Sequence, residues 1–69
     1  MSTSITISGL LMNGEREIHV GEHVAYGEVQ ADGTTYSLTT APTPQDMAAV
    51  AAAMDSLTAE EIAAIIAAS

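Results

Sequence analysis

Cysteine, phenylalanine, tryptophan and lysine are all missing from this chain of 69 residues. Without cysteine there can be no disulfide and no thiolate zinc site. With Tyr26 and Tyr36 as the only aromatics, a core has to be assembled from aliphatic side chains and alanine. The absence of lysine leaves Arg16 as the one strong base against nine aspartates and glutamates, a formal net charge of −8. Charged residues make up 14% of the chain, below the roughly one quarter that is typical. The acidity therefore comes from missing bases rather than from crowded acids. Nothing here can neutralise phosphates, which argues against nucleic acid or an anionic membrane surface as a direct ligand. The natural electrostatic partner is a basic protein surface, met faster because opposite charges steer the encounter.

Long hydrophobic runs are lacking too. Residues 1–12 carry no basic segment of the kind that opens a signal peptide. The apolar tail Ala59–Ala68 is far shorter than the about 20 residues of a membrane helix. The chain is therefore expected to be soluble, intracellular and cytoplasmic. Residues 1–69 form a single domain, of a size that buries only about 60% of its unfolded surface. With no disulfide or metal to help, a partner surface is the remaining source of stability, and self-association as a homodimer is expected.

What is present is punctuation. Asn13-Gly14 and Asp32-Gly33 each interrupt a strand-like stretch, and both dipeptides suit the positive φ angles of a two-residue type I′ hairpin turn. Around Asn13-Gly14 such a turn pairs Met12 with Glu15, Gly9 with Ile18 and Ile7 with Val20. That register gathers Ile5, Ile7, Ile18 and Val20 on one apolar side, and Gly9 is a candidate bulge that redirects Leu10. Around Asp32-Gly33 the turn pairs Val29 with Tyr36, Gly27 with Leu38 and Tyr26 with Thr39, placing Val29, Tyr36 and Leu38 on the apolar side. Gly21, Glu22 and His23 link the two hairpins into a four-stranded antiparallel meander over residues 3–40.

Pro42 and Pro44 end the sheet. Thr43 reads as a helix N-cap, Pro44 as the first helical residue and Asp46 as a first-turn acid. Met47, Val50, Ala51 and Met54 then recur at helical spacing. After Asp55-Ser56, Thr58 and Glu61 form a capping box, with Leu57 placed to staple Ile62. Ile62, Ile65 and Ile66 make the stripe of this second helix. The fold class is α+β, ββββαα: a meander of two β-hairpins followed by a C-terminal αα-hairpin over residues 43–68, packed on one face of the sheet.

Candidate chemistry is sparse. His19 and His23 have the H-x3-H spacing that would offer zinc two ligands on a helix. In an extended segment they stand roughly 13 Å apart, too far to share a metal unless the Gly21-Glu22 turn folds them together. Glu60 and Glu61 are accounted for by the helix cap and macrodipole. No serine has a partnered histidine and no glycine run cradles phosphate, so neither catalytic residues nor a cofactor is expected. Glu15, Arg16 and Glu17, immediately after the first turn, and Glu28 are the candidate protein-binding residues, with Arg16 the one guanidinium able to make a bidentate bond. The competing reading is a solvated hairpin shoulder that blunts edge pairing. Met47, Val50, Met54, Ile62, Ile65 and Ile66 are core residues or, where the core does not take them, an oligomer interface.

These features describe a non-catalytic, homo-oligomeric protein-binding module that docks on a basic protein surface. In size and composition it is similar in general character to the accessory and inhibitor proteins of bacteriophages and mobile elements. Two other classes compete. A structural component of a virus particle or larger complex would use apolar edges more than charge, and an acidic mimic of nucleic acid would need a denser carboxylate row than nine scattered acids supply. Charge-steered docking is distinguished by weakening steeply from low to moderate salt.

Overall fold

The computed structural model describes residues 4–69, so the expected beginning of the first strand at Thr3 lies outside the described residues. Strands β1 (Ile5–Ile7), β2 (Arg16–Val20), β3 (His23–Val29) and β4 (Tyr36–Thr40) precede helices α1 (Pro44–Ser56) and α2 (Ala59–Ala67). The strands form one antiparallel sheet in the order β1-β2-β3-β4, the meander expected from the turn signals.

The turns themselves differ from the type I′ expectation. At Asn13-Gly14 only the glycine has a positive φ, 84°. The Gly14 N–H donates to the Leu11 carbonyl at 3.0 Å, and the Leu11 N–H donates to the Glu15 carbonyl at 2.7 Å. Met12 and Asn13 are thus the central residues of the turn, and Gly14 closes it from the left-handed region, a three-residue loop. Further along, the Ser8 N–H donates to the Glu17 carbonyl at 2.9 Å, so Gly9 and Leu10 together stand opposite Arg16. This is the bulge anticipated at Gly9. The resulting register pairs Ile7 with Ile18 and Ile5 with Val20, correcting the expected Gly9–Ile18 and Ile7–Val20 pairs. Because the slip is by an even number of residues, every side chain keeps its face.

At Asp32-Gly33 the glycine again takes the positive φ alone, 75°. The Gly33 N–H donates to the Gln30 carbonyl at 2.9 Å and the Gln30 N–H to the Thr35 carbonyl at 3.1 Å, a four-residue loop. It delivers the register a two-residue turn would give, Val29 with Tyr36 and Gly27 with Leu38. Tyr26 then pairs with Thr40 rather than Thr39. The slip falls beside Gly27, where a Cβ would overlap the Ser37 carbonyl oxygen and lie 2.8 Å from Leu38 Cα. Only a residue without a side chain admits β4 that closely. The tight two-residue turn sits instead at Gly21-Glu22, between the Val20–His23 pair. Gly21 has φ 60° and no non-glycine among the described residues has a positive φ, the pattern of a type II′ turn.

Both helices begin as their caps dictate. Thr43 Oγ1 accepts from the Asp46 N–H at 3.1 Å. Thr58 Oγ1 accepts from the Glu61 N–H at 3.2 Å, while Glu61 Oε1 accepts from the Thr58 N–H at 2.8 Å, completing the capping box. Both helices cover the same face of the sheet: α1 packs on β2, β3 and β4, and α2 on β1. The core between the layers joins Ile7, Ile18, Val20, Ala25 and Val29 of the sheet to Val50, Met54 and Ile62 of the helices. At Gly33 an added Cβ would overlap the Ala59 carbonyl oxygen and lie 3.0 Å from Ile62 Cβ, so the β3–β4 turn seats directly on the start of α2. Among the described residues no helix is long and apolar enough to cross a membrane.

Candidate functional site

A sheet covered on one side presents its other face to solvent. Antiparallel partners share a face, so the pairs Glu17–Tyr26, His19–Val24, Thr6–His19 and Glu28–Ser37 all belong to this open face. Glu28 is two residues from Tyr26 on the same strand, hence diagonal to Glu17 at about 7–8 Å by sheet geometry. Glu15 precedes β2 on the alternation of Glu17, and its carboxylate reaches to β4, accepting from Thr39 Oγ1 at 2.5 Å and from Asn13 Nδ2 at 3.2 Å. Three of the four expected protein-binding residues, Glu15, Glu17 and Glu28, are therefore gathered on one side of the sheet.

Arg16, the fourth, goes to the opposite side and is only 8% exposed. Expected on the hairpin shoulder, it is instead a buried residue of the helix-covered face. The reason lies in the backbone around it. The β2–β3 ladder ends at the Arg16–Gly27 pair, leaving the Val29 carbonyl beyond its last rung. Arg16 Nε donates to that carbonyl at 2.8 Å. Its Nη1 donates at 3.2 Å to the Ser8 carbonyl, where the bulge has diverted the Glu17 N–H onto Ser8 Oγ at 2.8 Å. The guanidinium thus replaces backbone donors at the end of three strands. Among the described residues the close contacts of a basic group with a carboxylate are the imidazole contacts His19–Glu17 and His23–Asp46, and neither involves Arg16.

The open face consequently carries carboxylates with no interleaved guanidinium. Its centre is a small network. His19 Nε2 and Glu17 Oε1 are 2.7 Å apart, and the imidazole, followed by the Tyr26 hydroxyl, holds the Glu17 carboxyl below its usual range. The same carboxylate pushes the Tyr26 hydroxyl above its ordinary value. Glu17 is thereby held charged and oriented beside the ring of Tyr26. Tyr26 escapes a reading by residue type, and His19 is singled out by it only as a zinc candidate. The signal that finds their place beside Glu17 is the two-residue register across Gly21-Glu22, which sets Tyr26 against Glu17.

The two histidines fall on opposite faces. His19 lies on the open side, whereas His23, paired with Val20, lies on the helix side with its Nδ1 2.7 Å from Asp46 Oδ1. They cannot share a metal ion, and no cluster of three histidine or carboxylate ligands occurs among the described residues. Of the helical stripes, Val50, Met54 and Ile62 are buried in the chain's own core, while Ile65 and Ile66 are half-buried against it. Met47 is half-buried beside the proline segment Pro42–Pro44. No family model matches the chain, and comparison with curated proteins and with solved structures likewise finds no match.

Proposed function

We propose that the open face of the sheet docks on a basic surface of another protein, making this chain a non-catalytic binding module of accessory or inhibitor type. One observation supports this above the others: Glu15, Glu17 and Glu28 are gathered beside Tyr26 on a face from which the chain's only guanidinium has been withdrawn. Fixed carboxylates steer a basic partner and set its register. A half-buried tyrosine among them supplies the amphipathic anchor on which interface energy concentrates. Glu15 and Glu17 are already tied to Thr39 and His19, so little side-chain freedom remains to be lost on docking.

The test is recovery of a partner from the source cell on the tagged full chain, repeated with the charge-reversed Glu15→Lys/Glu17→Lys/Glu28→Lys variant and at rising salt. The expected result is a partner lost with the variant and released between low and moderate salt. A partner held with equal strength by the variant would show that these acids are not the contact. The structural-assembly reading draws on a different observation, the exposed apolar side chains of Leu10, Leu11 and Met12.

A further inference from the structure

Two uncharged stretches of the chain, remote in sequence, meet along one side of the molecule. From Ser4 to Gly14, and again from Ile62 to Ser69, the sequence contains no charged side chain. The fold brings these two uncharged segments together, because α2 packs on β1 and Ser69 Oγ donates to the Ile7 carbonyl. The nearest charged groups are turned away from this flank or satisfied at its rim. Glu15 directs its carboxylate across the sheet to Thr39, and Glu17 is bonded to His19.

This neutral flank is also the apolar one. Leu10, Leu11 and Met12, at the tip of the β1–β2 loop, are 66%, 41% and 106% exposed. Three consecutive large apolar residues left exposed are not explained by the folding of a single copy. Beside them, a cleft of about 580 Å³ opens along β1 and the end of α2, walled by Ile5, Ile7, Ala64, Ile65 and Ala68, with Glu17 and His19 of the open face at its rim. β1 is an edge strand, and the bonds that join Ser8 to Glu17 and Gly21 to Ser4 leave the backbone groups of Ile5 and Ile7 turned outward, the Ile7 carbonyl alone being met by Ser69 Oγ. None of the charges or prolines that normally blunt such an edge is present in it.

We propose that this flank joins two copies of the chain. Charge selects the occupant. A molecule of net charge −8 repels its own copy wherever acids face outward. Residues 33–45 and 47–54 are uncharged too, but among the described residues only the flank made by residues 4–14 and 62–69 joins missing charge to large exposed apolar side chains. Shape agrees, since the protruding tip and the apolar cleft lie a few residues apart on the same edge. A two-fold axis near Ser8 sets residues 10–12 of one copy alongside residues 4–6 of the other, and the same contact is made twice. Of the helical stripes, Ile65 reaches this contact through the cleft, whereas Val50, Met54 and Ile62 are already spent in the core. Glu15, Tyr26 and Glu28 of the open face remain free for a different partner, while Glu17 and His19 stand at the rim between the two surfaces.

The experiment is sedimentation velocity on the full chain from micromolar to submillimolar concentration, at low and high salt. The mass is expected to move from one copy to two with concentration, and association to strengthen as salt rises, because salt screens like-charge repulsion. Docking on a basic partner has the opposite salt dependence, so failure of one proposal does not entail failure of the other. Met12→Glu, at a side chain too exposed to affect folding, is expected to weaken self-association by about tenfold or more through a charge buried at the contact. Glu28→Lys on the open face leaves the flank intact and is expected to leave the dimer in place. A single-copy mass under all conditions, a dimer that weakens with salt, or a dimer indifferent to both Met12→Glu and Leu11→Ser would overturn the proposal.

Discussion

Arg16 shows how one side chain can be structural in a chain that looks too poor in bases to spare it. Its stem packs on the covered face while Nε and Nη1 serve the carbonyls of Val29 in β3 and of Ser8 just after β1. Arg16→Met keeps most of the stem and removes both bonds, and it is expected to lower stability by about 1–3 kcal/mol, read as a shift of the urea midpoint. Arg16→Lys should recover little of that loss, since an ammonium cannot reproduce the fork that spans two carbonyls. The sequence does hold the clue to this placement. Arg16, Ile18 and Val20 alternate along one strand, and Glu15, Glu17 and His19 fill the other positions. Residue type pointed Arg16 outward, whereas period-two alternation points it inward, and alternation prevails because the strand ends leave carbonyls for the guanidinium to satisfy.

At the scale of elements, the strength of a local signal depended on what else touched the segment. The helix starts were legible because a cap is closed by residues three apart: Thr43 with Asp46, Thr58 with Glu61. The hairpins were legible in position but not in turn type, since both glycines take the left-handed conformation just after the turn rather than within a two-residue loop. Tyr26 was hidden for a related reason, because its neighbours depend on a register set by Gly21-Glu22. The two hairpin glycines separate conformation from packing. Gly14 and Gly33 have similar positive φ angles, 84° and 75°, yet nothing lies within 4 Å of a Cβ built on Gly14, whereas one on Gly33 meets the Ala59 carbonyl. Gly14→Ala is expected to cost about 1–2 kcal/mol, the conformational penalty alone. Gly33→Ala should cost clearly more and should also speed amide exchange in α2, which Gly14→Ala should leave unchanged.

For the molecule as a whole, the layers are latched by titratable groups. His23 at the start of β3 meets Asp46 in the first turn of α1, and Thr43 Oγ1 donates to the same carboxylate at 2.9 Å. His23 first, then Thr43, holds the Asp46 carboxyl below its ordinary range. A carboxyl depressed in the folded state contributes stability that is complete above its unfolded value and is lost as pH falls through the folded one. Glu17 and Asp32 are depressed in the same sense, by His19 and by Thr34 respectively. Tyr26 and Tyr36 are raised, by Glu17 and by Asp55, so their contributions hold below the ordinary tyrosine value and disappear as pH rises through the raised one. Stability is therefore expected to be broad through neutrality and to fall at both ends. Asp46→Asn should lower the urea midpoint at neutral pH and flatten the acid limb, its curve meeting that of the parent chain in strong acid.

The order of the sheet is the order of the chain, and this bears on how quickly the molecule assembles. Each strand lies beside its predecessor, so every pairing closes a short loop and the entropy of closure stays small. The longest closure is the bond from Ser69 to Ile7, across a separation of 62 residues, whose entropic cost is largest while the segments between are still unfolded. The groove between β1 and α2 is thus expected to be the last part to close, and a half-finished chain would lack it. Association through that groove would be withheld until the fold is complete.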